Sequence, residues 1–443
     1  MTDLPKDRSE ASFADFKEAL TPAQAAVEAN RCLFCSDAPC VKACPTSIDI
    51  PQFIRKIATG NLRASAATIF DANILGMSCA RVCPVETLCV GDCVYNALGV
   101  PPIQIGKLQR FATDLAFEAG ASHGRAGAPT GKKVALVGAG PASLACAHEL
   151  RVLGHGCTIF ERQELLGGLN TTGVAPYKMR ADRSLDEVRF VLGIGGIEVK
   201  TGVAVGKDLP LEKLEKDFDA VFVGLGLGED SRLGVPGEAL RGVHGAVAFI
   251  EKMKVGKVSL AGVTHAVVVG GGNTAVDVVR ELLGLDVPNV AMLYRGDRQG
   301  MPGYRHEWEE ACAEGARAYW RRQPLELLGA GKVERIRCAL LDEKKKPLPG
   351  AEETLPADLV LVAIGQAKLG GLLALPGIEI DGGRVVVDAD GRTGRPKIFA
   401  GGDCANGGKE VVNAAAEGKR AARAIDQFLG GRGLGGARGE SHA

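Results

Sequence analysis

The stretch KVALVGAGPASLACAHEL, residues 133–150, reads as an apolar strand, a glycine turn and a helix. Gly138 permits the tight turn, Gly140 lets the backbone approach a pyrophosphate, and Ser143 stands where a third glycine would let helix pack on strand. The amides at the helix N-terminus then face the phosphates. Downstream, CTIFERQELLGG places Glu161 at the end of a second strand, at the usual distance to accept from a ribose hydroxyl.

The pattern returns at HAVVVGGGNTAVDVVREL, residues 265–282, with Gly270, Gly272 and Ala275 in the same frame. Two dinucleotide-binding units are implied. The strand after the second fingerprint, NVAMLYR, ends in Arg295 rather than an acid, and Arg298 follows; a cation suits a 2′-phosphate, which favours NADPH over NADH. Two short apolar runs, AVFVGLGLG (220–228) and LVLVAIGQ (359–366), each end in a glycine-containing turn. A later segment, IFAGGDCANGGKEVVNAAAEGKRAA (398–422), runs from a strand through Gly402 and Asp403 into a small-residue helix. A carboxylate there suits a ribityl chain, so FAD is expected at the first fingerprint and a nicotinamide coenzyme at the second.

Outward from this region, composition bounds the rest. The 443 residues allow two or three domains, and 46% hydrophobic content is ordinary for packed cores. Lys plus Arg equals Asp plus Glu at 53 each, which argues against nucleic acid and against an anionic membrane as partners. No apolar run approaches the ~18 residues of a membrane helix and the N-terminus lacks a signal-peptide core, so the default location is cytoplasmic. Sixty glycines fit a fold that repeatedly brings backbone close to phosphates and ring systems.

Eight of the thirteen cysteines fall between Cys32 and Cys93. In a reducing compartment such a block is more often metal-binding than disulfide-bonded. Its spacing is C-x2-C-x4-C-x3-C-P for Cys32, Cys35, Cys40 and Cys44, then C-x3-C-x5-C-x3-C for Cys79, Cys83, Cys89 and Cys93. Structural zinc favours paired C-x2-C knuckles, and only one such pair occurs. Short repeats closing on Cys-Pro suit two iron–sulfur clusters; zinc or plain buried thiols are the alternatives.

The architecture expected is α/β. An all-α iron–sulfur domain (1–118), with Ile50, Phe53, Ile54 and Ile57 on one helical face, precedes a Gly/Ala/Pro linker (119–132). Two nested Rossmann-like domains follow: an FAD domain split into 133–235 and 362–430, and an NAD(P) domain at 236–361 inserted between its halves. Residues 431–443 are expected to be a disordered tail.

From about residue 28 to 430 the chain resembles the N-terminal half of dihydropyrimidine dehydrogenase, on the motifs CSDAPC, CPVETLCVGDC and IGKLQRFATD. The resemblance implies one 4Fe-4S cluster on Cys32, Cys35, Cys40 and Cys93, and another on Cys44, Cys83, Cys89 and Gln109, with Cys79 no ligand. The similar small subunits of glutamate synthase and of ferredoxin-dependent transhydrogenases usually carry Glu at the position of Gln109 and lack the DAPC string. It further implies flavin contacts at Ala142, Ser143, Glu161, Gly168, Leu169 and Lys178, the last standing where the family has arginine. Nicotinamide-side contacts are implied at Gly271, Gly272, Asn273, Thr274, Arg295, Ala363, Ile364, Gly365 and the 403–408 segment with Asp403 and Asn406.

Together these parts imply electron flow from NADPH or NADH through FAD to two 4Fe-4S clusters. No FMN barrel follows, so the resemblance implies an FMN-containing catalytic partner subunit that reduces uracil and thymine. The small subunit of a glutamate synthase or related transhydrogenase is the second reading; a cofactor-binding scaffold without turnover is a third. No catalytic acid or base is expected.

Overall fold

The computed structural model describes residues 4–373 and 375–431; the expected tail lies outside them except for Gly431. The N-terminal domain is helical: α1 (Pro22–Asn30), α2 (Pro39–Ala43), α3 (Ile50–Ala58), α4 (Leu62–Ala72), α5 (Gly76–Val82), α6 (Val94–Ala97) and α7 (Ile105–Glu118). Helix α1 begins with a capping box in which the Thr21 side chain and Gln24 exchange bonds with each other's backbone N–H. The apolar stripe of α3 is realised, with Ile50, Phe53, Ile54 and Ile57 all buried in the core of this domain. The segment 119–132 has no regular structure but is docked, since Gly127 N–H donates to the Arg151 carbonyl (2.9 Å) and Thr130 N–H to that of Gly154 (3.1 Å).

The chain then alternates strand and helix: β1 (Lys133–Val137), α8 (Pro141–Val152), β2 (Gly156–Phe160), α9 (Leu169–Thr172), α10 (Ala181–Leu192), β3 (Ile197–Lys200), α11 (Leu211–Asp217) and β4 (Ala220–Val223). A second unit contains β5 (Val243–Gly245), α12 (Ala246–Val255), β6 (His265–Val269), α13 (Asn273–Gly284), β7 (Asn289–Tyr294), α14 (Arg305–Ala313) and β8 (Arg317–Trp320). An antiparallel ribbon, β9 (Arg322–Leu328), β10 (Arg335–Leu341) and β11 (Pro347–Pro356), leads into β12 (Leu359–Val362). The chain ends with β13 (Ile380–Asp381), β14 (Arg384–Val385), β15 (Ile398–Ala400), α15 (Asp403–Asn406) and α16 (Val411–Phe428).

Among the described residues, two five-stranded parallel sheets result, ordered β15-β4-β1-β2-β3 and β5-β12-β6-β7-β8. Both fingerprint strands are central and covered on both faces, which is why Val134 to Val137 read as an unbroken apolar run. The first sheet takes its last strand, β15, from beyond the second sheet's elements. The crossing differs in detail from the expected boundary: Val362 pairs with Val269 in the second sheet, so it does not open the returning half. Passage between domains is made by two antiparallel segments instead, with Asp230 bridging Gln366 and Gly228 N–H donating to the Ala367 carbonyl (2.7 Å). Helix α16 lies on α8 so closely that a side chain at Gly418 would collide with the Ala142 carbonyl. That contact explains the small-residue composition of the helix.

No helix among the described residues is long and apolar enough to cross a membrane.

Candidate functional site

A cleft of about 1180 Å³ runs between the two parallel sheets, lined by both fingerprints. On the first side, Gly138 has φ +88° and a Cβ there would lie 2.6 Å from the Gly224 carbonyl oxygen, so only glycine makes this turn. Gly140 faces open space, the vacancy a pyrophosphate needs. Ala142 lines the cleft, whereas Ser143 is buried beneath it and packs against Gly224, so Ser143 shapes the turn. Glu161 follows β2; its Oε2 accepts from Ala139 N–H (2.7 Å) and its Oε1 from Gln163 N–H (2.8 Å), holding the carboxylate at the cleft edge. Gly168 and Leu169 close the same wall, Gly168 lying within 3.0 Å of the Gly140 Cα if given a Cβ.

On the second side, Gly272 likewise faces open space, Gly270 abuts the Ala363 carbonyl, and the Tyr294 ring covers Gly271. Asn273 and Thr274 open α13 onto the cleft, while Ala275 is fully buried behind them. Asn273 Oδ1 accepts from Tyr304 N–H (2.9 Å), which draws the 300–304 loop over the turn. Ile364 and Gly365 line the cleft beyond β12. Arg295 is exposed past the end of β7, and Arg298 pairs with Glu309 (3.5 Å); neither lines the cleft.

The segment after β15 belongs to the first sheet: a Cβ at Gly402 would meet that of Ala142 at 3.0 Å, so Asp403 stands on the flavin side rather than beside the second fingerprint. Burial raises the Asp403 carboxyl above its usual range, opposed by the bond from Lys409 N–H and reinforced by Glu417. Asn406 does not line the cleft; it donates to Glu417 (3.0 Å) and accepts from Gly408 N–H (2.9 Å), fixing the turn. Lys178 does line it, but as an ion pair with Asp277 (2.9 Å) and Glu307 (2.7 Å) of the other domain. Burial alone would lower this ammonium, yet the two carboxylates raise it above the ordinary lysine range.

Two lining atoms have no protein partner: Asn170 Oδ1 and Glu307 Oε2, both buried. The two glycine cradles, with open space before Gly140 and Gly272, fit bound nucleotides. Neither Asn170 nor Glu307 was expected; Asn170 adjoins the expected Leu169, whereas nothing in the sequence around Glu307 distinguishes it. Cysteine is absent from the described lining, so no dithiol waits beside the flavin position.

The cysteines gather as two neighbouring sets. Cys32, Cys35, Cys40 and Cys93 line one small apolar cavity with Ile50, Ile54, Ile103 and Ile105. Burial, then the charges of Cys32, Cys93 and Cys35, push the Cys40 thiol up to about 12. Cys89 is raised by burial and then by Cys83, Cys44 and Cys40, while Cys83 is raised first by its hydrogen bond with Cys79 and then by burial. Such thiols resist ionisation unless a cationic centre compensates them, which is what an iron–sulfur cluster provides. No group of three or more His, Cys, Asp or Glu among the described residues is arranged to hold a single metal ion. Gln109, buried on α7, donates from Nε2 to the Gly76 carbonyl (2.7 Å), which fixes its amide plane and leaves Oε1 as an acceptor.

Residues 132–418 match the family described as pyridine nucleotide-disulphide oxidoreductase, and residues 8–121 the family described as dihydropyrimidine dehydrogenase domain II, 4Fe-4S cluster. The chain belongs to the pyridine nucleotide-disulphide oxidoreductase family. It carries a 4Fe-4S domain ahead of FAD- and NAD(P)H-binding domains, and is a flavoprotein oxidoreductase. A glutamate synthase [NADPH] small chain of Halomonas elongata is 36% identical over 94% of this chain and 93% of its own length. An NAD-dependent dihydropyrimidine dehydrogenase subunit PreT of Escherichia coli O157:H7 is 34% identical, covering 93% and 96%. Among solved structures, Mycobacterium tuberculosis FprA in complex with NADPH superposes with a TM-score of 0.55 at 22% identity, over 68% of this chain and 85% of that one, which establishes the likeness of fold.

Between the helical and flavin domains sits a carboxyl the sequence does not advertise. Glu187 on α10 is fully buried and accepts from Met77 N–H (2.9 Å), Ser78 N–H (3.0 Å) and Ser78 Oγ–H at the start of α5. Burial is the largest influence, and outweighs these bonds and the Arg81 charge to push the carboxyl up to about 7. Between its unfolded value near 4.5 and about 7 the native chain keeps a proton the unfolded chain has lost, so its contribution to stability falls as pH rises through that window and is level above it. The span corresponds to on the order of 3 kcal/mol. Glu187→Gln, which preserves the acceptor oxygen, should flatten this slope when denaturant unfolding is compared at pH 5 and pH 8; an unchanged slope would show that Glu187 does not titrate there.

Proposed function

We propose that the chain is the electron-input subunit of a dihydropyrimidine dehydrogenase, taking electrons from NAD(P)H and handing them to an FMN-containing partner that reduces uracil and thymine to 5,6-dihydropyrimidines. FAD held in the cleft would supply a centre that exchanges electrons in pairs with a nicotinamide and singly with iron–sulfur clusters. The protein's part is to hold, orient and insulate. Glu161, Gly138 and Gly140 would seat the FAD, and Gly270, Gly272, Asn273 and Thr274 the coenzyme. Cys32, Cys35, Cys40 and Cys93 would hold one cluster, and Cys44, Cys83, Cys89 and Gln109 the other.

The order of the two cysteine sets supports the direction. Val82, next to Cys83, lines the large cleft, and Val411 and Val412 from α16 pack on Cys83 and its neighbours. The second set is therefore the inner one. Near the first set in sequence, Val27, Leu33, Leu98 and Val100 are exposed, as is the Lys42–Asp37 ion pair (2.7 Å). The Arg31 guanidinium donates to the Pro101 carbonyl (2.5 Å) and the Arg31 carbonyl accepts from Tyr95 Oη–H (2.7 Å), tying the two segments together. A partner docking there would come close to the outer cluster.

The pyrimidine reading rests on Gln109, a neutral amide buried on α7 whose Nε2 donates to the Gly76 carbonyl at the start of α5, the helix that ends at Cys83. The 36%-identical glutamate synthase small chain supports the second reading, a glutamate synthase subunit, in which the same electrons reach a glutaminase-containing partner. Affinity capture of the chain's own partner, followed by anaerobic coenzyme oxidation with uracil or with glutamine plus 2-oxoglutarate, separates the two. Uracil-dependent oxidation by the complex, absent from the isolated chain, is the expected result; oxidation dependent on glutamine and 2-oxoglutarate would replace the first reading with the second.

A further inference from the structure

Residues 8–17 precede the helical domain and supply no group to the cleft or to the expected cluster ligands, yet they bind all three parts of the protein. On the nicotinamide side, Ser9 N–H donates to the Gly256 carbonyl (2.9 Å) and Ser9 Oγ accepts from Val258 N–H (2.9 Å). The Phe13 ring lies against Gly284 at the end of α13, where a Cβ would approach it to 2.7 Å. On the flavin side, Glu10 is fully buried, pairs with Arg8 (2.5 Å) and accepts from Ala181 N–H (3.0 Å) at the start of α10. Phe16 N–H donates to the Tyr177 carbonyl (2.9 Å), and the Arg280 guanidinium of the nicotinamide domain faces both rings, 4.8 Å from Phe16 and 4.7 Å from Tyr177. Lys17 then reaches the Cys83 carbonyl (2.9 Å).

Beneath this segment the two nucleotide domains share a buried seam. Lys254 of α12 is fully buried and its Nζ donates to the Val174 and Met179 carbonyls of the flavin domain, each at 2.7 Å. Glu10 is the strongest of the carboxylates facing that ammonium, ahead of Glu281 and Asp182. Opening the seam would break the bonds from Lys254 Nζ to the Val174 and Met179 carbonyls and the stacking of Arg280 on Phe16 and Tyr177, so the strap and the seam act on one interface.

Domains joined by a polar interface and two connecting segments move relative to one another by default. Hydride transfer, in contrast, needs the reacting atoms held to about 3–3.5 Å, and a displacement of ~1 Å can cost about a hundredfold in rate. We infer that residues 8–17 are a clamp that keeps the nicotinamide domain closed on the flavin domain, with Glu10 and Phe16 as its positioning residues. The clamp operates whichever partner takes the electrons.

The test uses the full chain, purified with its flavin and iron, as Phe16→Ala, Phe16→Tyr and Glu10→Gln. Phe16→Ala and Glu10→Gln should slow anaerobic bleaching of the flavin by NAD(P)H roughly tenfold or more, with half-saturating coenzyme within about threefold and flavin and iron content unchanged. In both variants amide hydrogen exchange should rise at residues 174–181 and 254–258. Phe16→Tyr, which keeps the ring, should behave as the parent. Parental bleaching rates in both disruptive variants overturn the clamp. So does slowed bleaching without faster exchange at the seam, or slowing that merely follows loss of flavin.

Discussion

Replacing Cys83 with alanine is expected to cut electron delivery to the partner or to an artificial one-electron acceptor by roughly a hundredfold, while flavin reduction by NAD(P)H stays within about threefold. Cys83 caps α5 beside Val82, which lines the cleft, and it neighbours Cys44 and Cys89. Losing this thiol would remove a proposed ligand of the inner set without touching either glycine cradle. Iron per flavin should fall to roughly half if two clusters are present. The control is Cys79→Ala. Cys79 is equally buried and accepts from Asn73 Nδ2 (3.1 Å), so its removal should cost about 1–3 kcal/mol of stability from the orphaned amide and leave the iron content intact. Iron loss in Cys79→Ala, with retention in Cys83→Ala, would reverse the ligand assignment.

Gly140→Val should abolish flavin binding while leaving the rest of the chain folded. The distinction from its neighbour is geometric: a side chain at Gly138 strikes the Gly224 carbonyl and would strain the turn itself, whereas one at Gly140 enters open space. The fold has nothing to lose there, and the bound pyrophosphate has everything to lose. We expect flavin affinity to drop at least a hundredfold, with the stability of the flavin-free chain shifting by less than about 1 kcal/mol. Gly272 is the matching position on the other side, also facing open space. Gly272→Val should retain flavin colour but lose bleaching by NAD(P)H at ordinary concentrations. Flavin retention in Gly140→Val, measured by absorbance after desalting, would remove the pyrophosphate from this turn.

Much of the site was legible because its chemistry is local. A glycine turn between strand and helix needs particular residues at fixed offsets, so Gly138, Gly140, Gly270 and Gly272 stand out in the chain, and Gly138 and Gly140 line the cleft. The cysteine block was legible for the same reason, since thiols at short spacing are costly to keep without a cluster. Arg295 was a local reading that the fold did not carry into the cleft: it lies one residue past β7, with its side chain in solvent. Among the described residues, the basic ones that line the cleft are Arg162, Lys178, Lys368 and Lys409. Lys178 was placed at the cleft, but its role as a bridge to Asp277 and Glu307 depends on residues about a hundred positions away.

By itself the sequence carried the α/β class, a helical cysteine-rich part ahead of it, and two glycine fingerprints, each between a strand and a helix. Those follow from periodicity and spacing, properties carried by neighbouring residues. Only the tertiary structure decided between the two placements of Asp403 that the sequence left open, buried Glu187 between domains, and bound residues 8–17 to the seam. Each of these depends on burial and on partners far along the chain. Desolvation and long-range pairing arise from packing, and no local pattern encodes them.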